Sequence, residues 1–138
     1  MAKILAIDYG QKRVGLAATD DLQIIASGLT TVHVKDIIPF IEDYLTKNKV
    51  ECIVVGEAKD LQNNPAESAR FIEPFVKHLT KKFPKLKIER VDERFTSKMA
   101  FQTMIDSGLK KKARQNKALI DEISATIILQ SYLEQKNN

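Results

Sequence analysis

The sequence predicts one α/β domain: a five-stranded mixed sheet with helices on both faces. Three observations lead there. Two nearly uninterrupted apolar runs, from Lys3 to Asp8 and from Cys52 to Gly56, read as central strands buried on both sides. Between and after them, apolar residues recur at helical spacing. Finally, 138 residues suit a single hydrophobic core, so residues 1–138 are expected to form one domain, with about 134–138 as a frayed tail.

The elements follow in order. Lys3-Ile4-Leu5-Ala6-Ile7-Asp8 is the first strand. After a short polar turn, Arg13-Val14-Gly15-Leu16-Ala17-Ala18 is expected to pair with it as an antiparallel hairpin. Asp20-Asp21 marks the next turn, and Ile24 to Val32 reads as a third strand. Ile37, Ile38, Ile41, Tyr44 and Leu45 then give a helix from about Lys35 to Lys47. Cys52 to Gly56 is the fourth strand, followed by a polar loop from Lys59 to Pro65. Phe71, Ile72, Phe75, Val76, Leu79 and Phe83 mark a second helix, in which Pro74 should produce a kink or a new start. Leu86 to Val91 is the fifth strand. Ser97 is suited to cap a helix reaching Ser107, with Gly108 just past its end. The last helix covers roughly Lys117 to Leu133. Strands joined by helical crossovers must pair in parallel with right-handed connections. Three meandering strands followed by such units give the ribonuclease-H-like arrangement.

Composition narrows the function classes. Hydrophobic residues make up 43% and charged residues 29%, as in an ordinary globular domain. No apolar run approaches the ~20 residues of a membrane helix, and no secretory signal precedes the first strand. A single cysteine, Cys52, rules out an intramolecular disulfide and suits a reducing cytoplasm. The net charge of +4 leans toward polyanionic partners only if the cations cluster. They do so in Lys81, Lys82, Lys85 and Lys87, and again in Lys110, Lys111, Lys112, Arg114 and Lys117; either group can equally be a solvated face. Monomer and homodimer remain equally open.

Three acidic positions fall where such a sheet gathers side chains. Ligands of open α/β sheets collect beyond the carboxyl ends of the parallel strands. Asp8 ends the first strand. A lone carboxylate there, at the rim of a dry core, needs a cation or strong hydrogen bonds; the alternative is a turn cap over Tyr9-Gly10-Gln11. Asp92 and Glu93 end the fifth strand and, being adjacent, point to opposite faces; the alternative is an exposed strand end paired with Arg90 or Arg94. Asp121 is expected in the first turn of the last helix, on one stripe with Ser124, Ala125 and Ile128. It either points to the sheet edge or complements the helix dipole. Oxygen ligands with no histidine or cysteine beside them suit Mg²⁺ or Mn²⁺ rather than Zn²⁺. Two such ions can drive in-line phosphodiester hydrolysis, with Lys12, Arg13, Arg94 and Lys117 near enough in sequence to neutralise substrate phosphates. Cys52 reads as core, and neither His33 nor His78 has a metal-ligand partner at suitable spacing. No Walker loop, dinucleotide fingerprint or nucleophile elbow occurs.

These stretches resemble the YqgF/RuvX family, nucleases assigned to pre-16S ribosomal RNA and related to Holliday-junction resolvases. Ala6-Ile7-Asp8-Tyr9-Gly10 with Lys12-Arg13-Val14-Gly15-Leu16-Ala17 resembles its opening hairpin. Val91-Asp92-Glu93-Arg94-Phe95-Thr96-Ser97 resembles its Asp-Glu-Arg motif. Asn116-Lys117, Asp121, Ser124-Ala125 and Ile127-Ile128-Leu129 resemble its closing helix. The resemblance implies the ribonuclease-H-like fold, a divalent-metal nuclease and a role in 5′-end maturation of 16S rRNA in the bacterial cytoplasm. It carries over Asp8, Asp92, Glu93 and Asp121 as catalytic acids, and favours Glu93 beside Asp8 and Asp121 as the metal ligand. Two positions depart from the pattern. Glu57-Ala58 follows Gly56 where the family has Leu-Pro, and Asn63-Asn64 stands where a loop glycine is common, so Glu57 becomes a further candidate ligand. Precursor rRNA and branched DNA are both open as substrates. So is a non-catalytic nucleic-acid-binding module, although a pure binder gains nothing from acids facing phosphates. An ATPase of the actin type shares the strand-end Asp-x-Gly, but needs two such domains, for which this chain is too short.

Overall fold

The structure, a computed structural model, describes residues 2–57, 69–92 and 117–137, and of Glu57, Ala69, Arg70, Asp92, Lys117, Ala118 and Asn137 the backbone alone. Its elements are β1 (Lys3–Tyr9), β2 (Arg13–Thr19), β3 (Ala26–His33), a 3-10 turn (Val34–Asp36), α1 (Ile37–Lys47), β4 (Val50–Glu57), α2 (Ala69–Lys82), β5 (Lys87–Asp92) and α3 (Lys117–Asn137). The expected loop from Lys59 to Pro65 and helix from Ser97 to Ser107 lie outside the described residues.

The five strands form one mixed sheet in the order β3-β2-β1-β4-β5. β1 pairs antiparallel with β2, and β2 with β3, while β4 runs parallel to both β1 and β5. The β1 run is apolar on both pleats because both faces are covered. Leu5, Ile7, Val14, Leu16, Ile53 and Val55 pack beneath α1 and α2, against Ile37, Ile41, Ile72, Phe75 and Leu79. Ile4, Ala6, Ala17, Cys52, Val54 and Val91 pack beneath α3, against Ala125, Ile128, Leu129 and Leu133. Ile4, Leu5 and Ile7 are each essentially inaccessible, and burying such a side chain contributes about 1.5–3 kcal/mol. Small residues on the α3 side, Ala6 and Ala17 above all, let that helix lie close to the sheet.

Boundaries differ from the sequence pattern where side chains intervene. β3 begins at Ala26, not Ile24, because the Asp20 carboxylate accepts the amides of Ile24 (2.8 Å) and Ile25 (2.9 Å) and holds both in the turn. Gln23 reverses the chain there with a φ of 59°. α1 starts at Ile37, since Val34–Asp36 form the tighter turn, with His33 Nδ1 accepting the Lys35 amide at 3.2 Å. Pro74 does not mark a new start: α2 is continuous through it. α3 continues beyond Leu133 to Asn137.

Candidate active site

The hairpin of β1 and β2 fixes the first acid. Ile4 and Ala6 face α3, so the pleat gives Asp8 the same side. Tyr9, on the other pleat, stacks on Phe75 with ring centroids 4.2 Å apart, and burial pushes its phenol upward in pKa. The Gly10 amide donates to the Arg13 carbonyl at 3.0 Å. That turn amide is therefore taken by backbone, which weakens the reading of Asp8 as a turn cap.

Directly across from Asp8 in the β1–β2 register stands Gly15. Paired Cα atoms in such a ladder lie about 4.5–5.5 Å apart. The α3 backbone rests on Gly15: an added Cβ would overlap the Asp121 carbonyl and come 3.0 Å from the Glu122 amide nitrogen. Asp8 and Asp121 are thus brought to the same side of the sheet, with one glycine between strand and helix. In the sequence Gly15 stands out only as part of a motif. The available signal was a glycine in the middle of a strand, which marks close backbone approach.

Asp121 does not lie in the first turn of α3. The helix starts at Lys117, and its first turn holds no acid. The dipole contribution fades within that turn, so it does not account for Asp121. The carboxylate is instead engaged by Arg13, whose Nε donates to Oδ2 at 2.7 Å; the two side chains are 40% and 23% exposed. Gly10, Gln11, Lys12, Arg13 and Asp121 line an open cavity of about 320 Å³. Lys12 is exposed at its rim. Three residues beyond Asp121, Ser124 Oγ is buried and has no hydrogen-bond partner among the described residues.

The structure therefore gathers Asp8, Lys12, Arg13 and Asp121. The backbone of Asp92 pairs with that of Glu57 at the carboxyl ends of β5 and β4, and Lys117 opens α3. Glu93 and Arg94 lie outside the described residues. Among the described residues no three metal-ligating side chains cluster. The carboxylates present at the site, Asp8 and Asp121, are hard oxygen donors suited to Mg²⁺ or Mn²⁺.

The sequence matches the family described as RuvX, Holliday junction resolvase, over residues 2–135. The chain belongs to this family. Relatives of this RuvX chain include a Flavobacterium psychrophilum protein, 64% identical over 136 residues, with 99% of each chain covered. A Bacteroides thetaiotaomicron protein is 57% identical over 136 residues, again with 99% of each covered. Both are named as pre-16S rRNA nucleases, an assignment their names give as provisional. Among solved structures, the Fowlpox virus resolvase bound to Holliday junction DNA superposes with a TM-score of 0.61 at 14% identity, covering 99% of each chain. RuvC from T. thermophilus in complex with a Holliday junction substrate gives 0.57 at 16%, covering 99% of this chain and 96% of that one. At such identities the likeness establishes the ribonuclease-H-like fold of this RuvX chain.

Proposed function

We propose that this chain is a divalent-metal-dependent nuclease of the cytoplasm that hydrolyses phosphodiester bonds during 5′-end maturation of precursor 16S rRNA. One observation carries the reading: Asp8 and Asp121, far apart in sequence, share one side of the sheet across Gly15, with Arg13 and Lys12 beside them. Two acids on one side of the sheet, one of them lining a cavity with Lys12 and Arg13, suit a phosphate-bearing substrate better than a purely structural role does.

Asp8 and Asp121 would hold the metal together with Glu93, which enters from the family's Asp-Glu-Arg motif. In sequence Glu93 has the parity of Val91, whose side chain is buried on the α3 side; Asp92 has the other parity. When bound, Mg²⁺ or Mn²⁺ supplies activation of water and stabilisation of the leaving oxygen. The chain's own groups do the rest. Arg13 fixes the Asp121 carboxylate through Nε and leaves its other guanidinium N–H groups for a phosphate. Lys12, Arg94 and Lys117 add charge that neutralises the nucleic-acid backbone.

The family description favours a second substrate, branched DNA. A cleavage assay decides between them: a precursor rRNA fragment and a four-way DNA junction, each with wild type and Asp8→Asn, with Mg²⁺ or Mn²⁺ and with chelator. The expected result is metal-dependent cutting of the rRNA fragment, abolished in Asp8→Asn while circular dichroism stays unchanged. Preferential cutting of the junction would move the substrate to DNA. An Asp8→Asn protein that cuts like wild type would end the nuclease reading at this site, and metal-independent binding without cleavage would make the chain a binding module.

A further inference from the structure

The lysine group of residues 81–87 is not used by the site above, and the fold gives it a setting. The candidate active site lies at the carboxyl ends of β1 and β4. At the opposite end of the sheet, the C-termini of α1 and α2 meet the start of β4 and the approach to β5. Leu45, Val50, Phe83, Pro84 and Leu86 form an apolar notch there, with Asn48 at its edge. Its volume is about 430 Å³, and Lys49, Lys82 and Lys85 stand around it, all exposed. Along β4, from Val50 to Glu57, the two ends are about 23 Å apart at the usual strand rise.

The cations around the notch are largely uncommitted. Lys47 pairs with Asp43 and Lys87 with Glu89, but Lys49, Lys81 and Lys85 make no ion pair among the described residues. Lys82 reaches Glu42 only at 3.6 Å, with both side chains well exposed. Helix-dipole complementation explains Lys47, Lys81 and Lys82, which lie in last turns. It does not explain Lys49 and Lys85, which lie outside both helices, nor an apolar hollow in their midst. Positive charges ringing an apolar recess match a ligand that alternates anionic groups with flat apolar ones. A single strand with an unstacked base has that character. Phe83 and Pro84 offer flat surfaces to a base, and the lysines lie where flanking phosphates would run.

We propose that this notch is a second nucleic-acid site, which takes one unstacked base of single-stranded RNA with its neighbouring phosphates on Lys49, Lys82 and Lys85. It would anchor an unpaired stretch of substrate while the acids at the far end address the bond to be cut. The choice of RNA rests on the nuclease reading above.

The test is a binding measurement without turnover. Full-length Asp8→Asn protein is titrated into fluorescein-labelled oligouridylate and oligoadenylate of about 12 nucleotides, within the usual range of single-strand site sizes. Fluorescence anisotropy is followed over a series of salt concentrations, without divalent metal. Adding Lys49→Glu and Lys85→Glu should weaken binding at least ~10-fold and reduce the salt slope by about 0.7 for each phosphate no longer neutralised. Both lysines are exposed, so thermal melts should coincide with the parent. An abasic oligomer of equal length should bind the parent more weakly than the intact one.

Equal affinity of the parent and the double charge reversal overturns the proposal. So does equal binding of abasic and intact oligomers, which would leave a plain charged face. Tighter binding of a DNA oligomer would overturn the assignment to RNA. A glutamate- and leucine-rich peptide that binds the notch more tightly than either oligomer would make the partner a protein instead. Because the readout needs neither metal nor cleavage, failure of the nuclease assay and failure of this site are separately visible.

Discussion

Gly15 is the cross-strand partner of Asp8, and the same glycine is where the backbone of Asp121 touches the sheet. The spacing between the two acids is therefore set by a missing side chain. A Cβ at this position would overlap the helix backbone.

Gly15→Ala should consequently be costly. Its methyl meets the Asp121 carbonyl and the Glu122 nitrogen, which move only if the helix moves. Overpacking of this kind costs about 1–3 kcal/mol, and the lifted helix takes Asp121 away from Asp8. Gly28→Ala is the control. The three atoms nearest its methyl all belong to the Glu122 side chain, with Oε1 at 2.5 Å, and a side chain yields more readily than the helix backbone that Gly15 meets. Urea denaturation with parallel cleavage assays checks both. Equal stability and activity in the two variants would show that helix position is not fixed at Gly15.

Arg13→Gln separates positioning from stability. The pair with Asp121 is part-exposed, so its contribution to folding is below about 1 kcal/mol. Nuclease activity should fall at least ~10-fold, with kcat/KM more affected than the melting temperature. A variant with wild-type turnover would remove Arg13 from the site.

Ser124→Ala should leave the fold as stable or up to about 1 kcal/mol more stable, because it removes a buried hydroxyl without a partner among the described residues. Differential scanning calorimetry reads the change. A clear loss of stability would mean that the hydroxyl has a partner in solution.

At alkaline pH the tyrosines contribute to the pH dependence of stability. Burial pushes Tyr9, Tyr44 and Tyr132 above the usual phenol value of 10.0. For Tyr132, burial and then the neighbouring Cys52 raise it to about 12, with the phenol oxygen 3.9 Å from the Cys52 sulfur. A folded pKa above the unfolded one gives stability that is complete below the unfolded value and is lost as pH rises through the folded one. Stability should therefore decline from about pH 10 to about pH 12. A spectrophotometric titration of the native protein should show tyrosinate appearing later than in denaturant. Coincident curves would refute the burial.

The sheet was legible because its signals are local and strong. Uninterrupted Ile4 to Ile7 and Cys52 to Val55 leave little choice but central strands, and the spacing of Ile37, Ile41, Ile72, Phe75 and Leu79 gives the α1–α2 side of the core. Side chains that bond to nearby backbone blurred the boundaries. Asp20 withholds Ile24 and Ile25 from β3, and nothing in the apolar pattern announces that. At the site, Asp8 stood out because a charge follows a dry run. The Arg13–Asp121 pair could not be read, since it joins positions 108 apart through a register that only the folded sheet defines. Its other consequence, that Asp121 serves an ion pair rather than the helix dipole, was hidden with it.

α3 has two duties. It seals the face formed by Ile4, Ala6, Ala17, Cys52 and Val54, and it carries Asp121. A polypeptide still leaving the ribosome without this segment has those apolar side chains uncovered and lacks Asp121. Covering of that face and delivery of Asp121 to Gly15, the cross-strand partner of Asp8, are thus one event.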